Sequence, residues 1–167
     1  MRIKVLSRQE FEDFTSEEKY IAISITDPNS ESVESQNKHK AMLSLQFHDI
    51  DHRLRKQEDC KLCDNTGISK LFPDINGGHC YACTNKMDII LFDAKMAEQI
   101  LDFVGCFKDK VDMIVVHCEA GISRSAGCAS ALSLILNKTD QYYFDHYLPN
   151  MLVYRIILNA HMKDKIE

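Results

Sequence analysis

Apolar and polar positions along this chain follow rhythms typical of alternating strands and helices. The opening elements are a strand at Ile3 to Leu6, a helix at Arg8 to Phe14, a strand at Tyr20 to Ile25 and another at Ala41 to Phe47. The breaker pair Asp27-Pro28 ends the second strand, and the polar stretch 29–40 predicts a loop. The first third of the chain is therefore predicted to run strand, helix, strand, loop, strand.

The second half returns to a helical period after Asp93, a candidate N-cap. The face of this helix predicted to be buried carries Met96, Ala97, Ile100, Leu101 and Val104. The apolar run from Met113 to Val116 is typical of a central parallel strand. Three helices follow, at Ser125 to Leu136, Tyr142 to Leu148 and Asn150 to Lys163. This order predicts an α/β fold with a central, mostly parallel sheet flanked by helices.

Length and composition narrow the class of protein. The 167 residues fit one domain spanning 1–167, within which 55–86 interrupts the rhythm as an insertion. A net charge of -5 and a pI near 5.8 argue against nucleic acid or an anionic membrane as partner. Neither a leader pattern nor an apolar run near the roughly 18 residues of a membrane span occurs. The chain has seven cysteines, an odd number, and four of them form Cys-x2-Cys pairs, which favours a reducing, cytoplasmic location over a disulfide framework. Cys106 and Cys128 are predicted to lie in the core.

The segment VVHCEAGISRSAG, Val115 to Gly127, combines a thiol and a guanidinium between a strand and a helix. Backbone N–H groups of such a loop, with the positive helix N-terminus, form a cradle for an anion. The same field favours the Cys118 thiolate. Arg124 can offer a fork of donors to two phosphoryl oxygens, and Gly121 supplies a conformation or clearance that a Cβ would block.

On these residues, HCEAGISRS resembles the His-Cys-x5-Arg-Ser/Thr loop of cysteine-dependent protein tyrosine and dual-specificity phosphatases. The resemblance implies a three-layer phosphatase-like fold. It also implies that Cys118 attacks phosphorus, that Arg124 binds the equatorial oxygens and that Ser125 assists breakdown of the phosphocysteine. His117 is expected to orient the nucleophile from behind through hydrogen bonds. The substrate-binding loop positions would be Glu119, Ala120, Gly121, Ile122, Ser123 and Arg124.

A phosphocysteine mechanism also needs a carboxylic acid that protonates the leaving oxygen. Similar phosphatases place this aspartate after a strand upstream of the cysteine. The corresponding candidate here is Asp49, with Asp51 as the fallback. The distance from acid to cysteine exceeds that of compact family members, and the insertion 55–86 accounts for the excess.

The insertion carries two Cys-x2-Cys pairs separated by sixteen residues, a spacing typical of a four-thiolate structural zinc site. The predicted ligands are Cys60, Cys63, Cys80 and Cys83. A closed four-cysteine shell leaves no position for catalysis, so the zinc would hold the insertion together. Iron in the same site, two disulfides or unrelated free thiols are the alternatives.

The loop also bears on the substrate. It holds no lysine of the kind that relatives acting on inositol phospholipids place there. The predicted partner is therefore a phosphorylated protein, with phosphotyrosine ahead of phosphoserine and phosphothreonine. Phosphate and vanadate-like anions are predicted to bind at the same loop. RNA 5′-triphosphates stay open as substrates. A rhodanese-like sulfurtransferase and a phosphate-binding module without catalysis are the alternatives from other classes.

Overall fold

The protein is described by a computed structural model that covers residues 1–31, 33, 39–50 and 89–163. Apart from residues 89 and 90, these belong to one compact unit, Met1–Asp51 with Leu91–Glu167. The predicted insertion 55–86 lies outside the described residues.

Nine elements follow one another in the described residues of this unit. They are β1 (Arg2–Ser7), α1 (Arg8–Glu12), β2 (Tyr20–Thr26), β3 (Met42–Gln46), α2 (Ala94–Phe107), β4 (Met113–Cys118), α3 (Arg124–Asn137), α4 (Gln141–His146) and α5 (Met151–Lys163). All the strands and helices predicted in this part of the chain are present, with ends that differ by a few residues.

The sheet has the strand order β1-β4-β2-β3, and every pairing among these strands is parallel. The predicted α/β fold is therefore confirmed. In a parallel sheet the carboxyl ends of all strands lie along one edge, which is where open α/β sheets place their ligand sites. Cys118 ends β4 at this edge, Asp27 follows β2, and Phe47 follows β3.

Both faces of the sheet are covered, as the fully buried patterns of β2 and β4 require. On β4, Ile114 and Val116 face the larger core, to which α2, α3 and α5 contribute. Met113 and Val115 point the other way, into a smaller core with Phe11 of α1. The sheet and its two flanking sides make the three layers that the resemblance implied.

Local sequence sets the helix ends. Ser7 and Glu10 form a capping box at the start of α1, and the Asp93 carboxylate accepts from the Met96 N–H at the start of α2. Lys138, in the left-handed conformation, ends α3. No helix in the described ranges is long and apolar enough to cross a bilayer.

The two cysteines predicted to lie in the core differ. Cys128 is fully buried in α3, as expected, and burial raises the pKa of its thiol. The prediction for Cys106 is wrong, because this residue is exposed on α2. Its helical position lies on the side of α2 opposite the buried positions, which are Ala97, Ile100 and Val104.

Candidate active site

The loop between β4 and α3 brings the predicted nucleophile to the carboxyl edge of the sheet. Cys118 is the last residue of β4 and is 2% exposed, so its sulfur lies at the floor of the loop rather than on the surface. Its Sγ lies 3.0 Å from the Oγ of Ser125, which belongs to the first turn of α3. The two residues for which the resemblance implied consecutive chemical roles are therefore in hydrogen-bond contact.

The backbone of the Cys118–Arg124 loop separates its donors from its acceptors. The carbonyl oxygens of Glu119, Ile122 and Ser123 accept hydrogen bonds from the N–H groups of Arg8, Leu148 and Asn150, respectively. Within the described part of the chain, no N–H group from Glu119 to Ala126 has an acceptor. A run of unpaired N–H groups at the N-terminus of a 14-residue helix is an anion-binding arrangement.

Gly121 is where the loop touches the end of β1. Its φ is +69°, and a Cβ at this position would lie 2.5 Å from the backbone nitrogen of Ser7. Only glycine satisfies both the left-handed backbone and the close approach. The sequence predicted a glycine requirement here, and the structure gives both reasons for it.

Arg124, at the start of α3, is anchored through one nitrogen. It is 3% exposed, and its Nη1 donates to Asp27 Oδ1 and to the Phe47 carbonyl oxygen, both at 2.8 Å. Its Nε is buried and has no hydrogen-bond acceptor among the described residues. A buried charged donor without a partner is costly, so this nitrogen marks a place where a ligand oxygen would be stabilised.

Asp49 lies at the same edge of the site, beside the loop. Its Oδ1 accepts from Ser123 Oγ at 2.7 Å and from Asn150 Nδ2 at 2.8 Å. Its Oδ2 is 3.7 Å from Arg124 Nε, close enough for an ion pair but too far for a hydrogen bond. The structure thus brings the predicted acid next to the predicted arginine, whereas Asp51, the fallback acid, lies outside the described residues.

Sequence reasoning missed two residues that hold this site together. Asp27 was identified only as part of a strand breaker, yet it binds Arg124. Asn150 was identified only as a helix boundary, yet its Oδ1 accepts from the Leu152 and Val153 N–H groups while its Nδ2 binds Asp49. For Asp27, a carboxylate directly after a parallel strand was the available signal. For Asn150, the preference of asparagine for N-cap positions gave the helix start but not the second partner.

His117 lies behind the nucleophile, fully buried, with its ring stacked on Phe11 at 4.2 Å between centroids. Burial lowers the pKa of His117 to about 4, and an interaction with the Cys118 backbone offsets this only in part. Neither ring nitrogen has a hydrogen-bond partner of standard geometry among the described residues, which differs from the expected orienting hydrogen bonds. The ring is neutral at pH 7, so it does not act as an imidazolium beside the sulfur.

Because His117 is harder to protonate in the folded chain than in the unfolded chain, it makes stability depend on pH. The pKa of His117 is 6.5 in the unfolded chain and about 4 in the folded chain. Between these pH values the unfolded state binds a proton that the folded state does not, so the free energy of unfolding falls as the pH decreases. We expect this residue to cost about 2 kcal/mol of unfolding free energy between about pH 7.5 and about pH 5. Urea unfolding at both pH values should show that His117→Phe, which keeps the stacking, lacks this loss. An equal pH dependence in both proteins would contradict the assignment.

The other predicted loop residues surround this centre. The Glu119 carboxylate pairs with Arg8 at 3.2 Å, Ala120 is exposed, and Ile122 is 47% exposed. Arg8 also pairs with Glu12 at 3.3 Å, so its charge is balanced by two carboxylates.

The predicted zinc ligands lie outside the described residues. They are Cys60, Cys63, Cys80 and Cys83. Within the described ranges, no cluster of three or more histidine, cysteine, aspartate or glutamate side chains is suited to hold a metal.

Comparison with known proteins adds little. No protein-family model matches the sequence, and no curated protein is similar to it. Among solved structures, the crystal structure of PTPMT1 in complex with PI(5)P is similar over 89% of this chain and 80% of that chain, with 12% identity and a TM-score of 0.42.

Proposed function

We propose that the chain hydrolyses phosphomonoesters through a phosphocysteine intermediate. The observation that carries the proposal is the run of N–H groups from Glu119 to Ala126, which have no acceptor among the described residues, begin next to Cys118 and include that of Arg124. Donors of this kind complement the equatorial oxygens of a phosphoryl group and strengthen as charge develops in the transition state. A thiolate below such a cradle is positioned to meet phosphorus.

In the first step, the Cys118 thiolate attacks phosphorus. A sulfur–phosphorus bond forms, the bond from phosphorus to the leaving oxygen breaks, and the leaving oxygen takes a proton from the Asp49 carboxyl group. Because His117 is neutral, the thiolate is stabilised by the loop N–H groups, the helix N-terminus and the Ser125 hydroxyl at 3.0 Å.

In the second step, water attacks the phosphocysteine. Asp49, now a carboxylate, takes a proton from the water, the sulfur–phosphorus bond breaks, and phosphate leaves. The departing sulfur regains its negative charge, and Ser125 is placed to donate a hydrogen bond to it at that moment.

The carboxylate at the loop favours a phosphatase over the alternatives. A thiol that accepts sulfur from thiosulfate expels sulfite, which needs no proton donor, so the Asp49 contact with Ser123 would have no chemical purpose. A module that only binds phosphate would avoid a carboxylate 3.7 Å from its arginine, because the carboxylate competes with the ligand.

The rim of the site supports a protein phosphotyrosine as substrate. Ile122 and Leu148, which are 47% and 75% exposed, are joined by the hydrogen bond from the Leu148 N–H to the Ile122 carbonyl oxygen. They give the loop an apolar edge that suits an aromatic leaving group. Among the described residues, Arg8 is the cation besides Arg124 that contacts the loop, and its charge is balanced by Glu119 and Glu12, which disfavours substrates with several phosphates.

We expect the purified chain to hydrolyse p-nitrophenyl phosphate and phosphotyrosine peptides, with competitive inhibition by vanadate. The physical reason is that vanadate reproduces the five-coordinate geometry that the N–H cradle and Arg124 bind. Initial rates with and without vanadate test the proposal, and thiosulfate with cyanide serves as the parallel substrate. If the chain forms thiocyanate from thiosulfate and cyanide but releases no phosphate from the phosphomonoesters, the proposed hydrolase function is wrong and a sulfurtransferase takes its place.

We also propose one structural zinc ion held by Cys60, Cys63, Cys80 and Cys83. Four thiolates in two short pairs form the donor set that zinc prefers, and such a closed site supplies folding free energy rather than chemistry.

The metal prediction is tested by elemental analysis. We expect about one zinc per chain, lost in Cys60→Ser and in Cys80→Ser because a four-thiolate site tolerates few missing ligands. Cys106→Ser is the matched control, since that exposed cysteine belongs to neither pair, and it should retain the metal. Iron in place of zinc would assign the site to iron. Metal-free protein would contradict the proposal, with seven titratable thiols after denaturation if the cysteines are free and three if the two pairs form disulfides.

A further inference from the structure

Asp27 is held in a turn that fixes where its carboxylate lies. The Ser30 N–H donates to the Asp27 carbonyl oxygen at 3.1 Å, which closes a four-residue turn. Pro28 and Asn29, with φ of +65° at Asn29, are the residues that a type II turn favours at its two central positions. Gln46 Nε2 donates to the Ser30 carbonyl oxygen at 2.9 Å and ties this turn to β3. The carboxylate therefore starts from a defined backbone at the carboxyl edge of the sheet.

This carboxylate meets only one part of the Arg124 guanidinium. Nη1 donates to Asp27 Oδ1 and to the Phe47 carbonyl oxygen, both at 2.8 Å, so the two hydrogens of that nitrogen are used. Nε is left without a hydrogen-bond acceptor among the described residues. Side-on recognition of two oxyanion oxygens by arginine uses Nε together with Nη2, the edge that does not include Nη1.

We propose that Asp27 is a positioning residue for Arg124, holding the guanidinium by Nη1 so that its Nε edge is presented to the phosphoryl group. The inference rests on the proposed function. Asp27 acts through the arginine and need not touch substrate. A charge-assisted hydrogen bond of this kind fixes a long side chain that would otherwise lose rotamer freedom when the substrate binds.

Asp27 also keeps the arginine from a competing partner. Asp49 Oδ2 lies 3.7 Å from Nε, and a small rotation of an unanchored guanidinium would turn this contact into a hydrogen-bonded pair. Such a pair would occupy the phosphate-binding edge and the acid at once. Two carboxylates thus flank one arginine, and the one that holds Nη1 leaves the other available for proton transfer.

A purely architectural role is disfavoured by exposure. The Asp27 side chain is 51% exposed, so its truncation leaves no buried cavity, whereas Arg124 is almost completely buried. Truncation also leaves one hydrogen of the buried Nη1 without its acceptor, so we expect a lower melting temperature together with weaker anion binding and a lower rate, and the last two are compared among folded variants.

The test compares wild type, Asp27→Ala and Asp27→Asn for tungstate affinity by calorimetry and for kcat and KM with p-nitrophenyl phosphate. We expect Asp27→Ala to weaken tungstate binding and lower kcat/KM by about 10- to 100-fold, the usual cost of a lost hydrogen bond to a charged group. Asp27→Asn keeps an acceptor oxygen in a side chain of the same shape, so its tungstate affinity and its kcat/KM should fall by only about 3- to 10-fold. Asp102→Ala, which removes an exposed carboxylate from α2, should match wild type.

The outcomes separate the inference from the proposed function. Wild-type turnover with an Asp27→Ala variant that binds tungstate equally well would overturn the role of Asp27 alone. If the alanine variant is unfolded by circular dichroism, the asparagine variant decides, and wild-type affinity in it would count against the role. If wild type binds tungstate but does not hydrolyse p-nitrophenyl phosphate, the proposed hydrolase function is wrong. The tungstate affinities of wild type and the Asp27 variants would then still test the role of Asp27. Wild type that neither binds nor hydrolyses would overturn both.

Discussion

Replacing Cys118 by serine is expected to abolish hydrolysis of p-nitrophenyl phosphate, with a loss of about 10⁴-fold or more in kcat. A serine hydroxyl is not ionised at neutral pH. The ring of His117 is stacked on Phe11 and neither of its nitrogens has a hydrogen-bond partner among the described residues, while Asp49 acts as the acid in the first step, so neither group is placed to take the proton of a serine. Nothing would convert the hydroxyl into a nucleophile. The measurement is the initial rate at saturating substrate, compared with wild type prepared in reducing buffer.

Binding should behave differently from turnover in the same variant. The loop N–H groups and Arg124 remain, so tungstate affinity should stay within about threefold of wild type once the sulfur's charge is removed. Cys106→Ser is the matched control for the thiol chemistry, because that cysteine is exposed on α2. A Cys118→Ser enzyme that retains a tenth of the wild-type rate would rule out the phosphocysteine.

The elements that the sequence predicted best are those whose signal is local. The runs that became β2 and β4 are apolar on both faces because each strand has neighbours on both sides and cores on both faces. The thiol, glycine and arginine of the Cys118–Arg124 loop lie within seven consecutive residues after a predicted strand. Their common location at the end of that strand could therefore be predicted from the sequence alone. Asp49 was identified as the candidate acid because it follows a strand that had already been predicted.

The contacts that the sequence did not reveal join distant parts of the chain. Asp27 meets Arg124 across 97 positions, and Asn150 meets Asp49 across 101. Whether two carboxylates that follow two strands reach the same arginine depends on strand order. Here β4 lies next to β2, and β2 next to β3, an arrangement that no local pattern encodes. The Phe47 acceptor is a backbone carbonyl, which carries no residue signature at all.

Cys106 illustrates the same limit for composition. Cysteine is among the most frequently buried residues, so the core was the natural expectation for it. Cys106 is exposed because it lies on the side of α2 opposite the buried stripe, and burial follows the face of the helix rather than the residue type.

The arrangement around Asp49 makes a specific statement about its two oxygens. Oδ1 accepts from both Ser123 and Asn150, so in this conformation it has two donors directed at it. A proton destined for the leaving group therefore belongs on Oδ2, the oxygen that lies 3.7 Å from Arg124 Nε. When a phosphoryl oxygen takes up Nε, Oδ2 becomes available to the leaving oxygen. Asparagine reproduces this geometry with its amide oxygen at Oδ1, so the substitution removes the proton and little else.

Asp49→Asn is accordingly expected to lower kcat/KM by about 10²- to 10⁴-fold for phenyl phosphate, whose leaving group must be protonated, and by much less for p-nitrophenyl phosphate, whose leaving group departs as an anion. The pH profile should change in step. Wild-type activity falls on the alkaline side as the acid loses its proton, and the variant should lack this limb. Rates across a series of substituted phenyl phosphates at several pH values measure both effects. A limb that persists in Asp49→Asn and disappears in Asp51→Asn would move the acid to Asp51, because only the group that gives up the proton can set that limb.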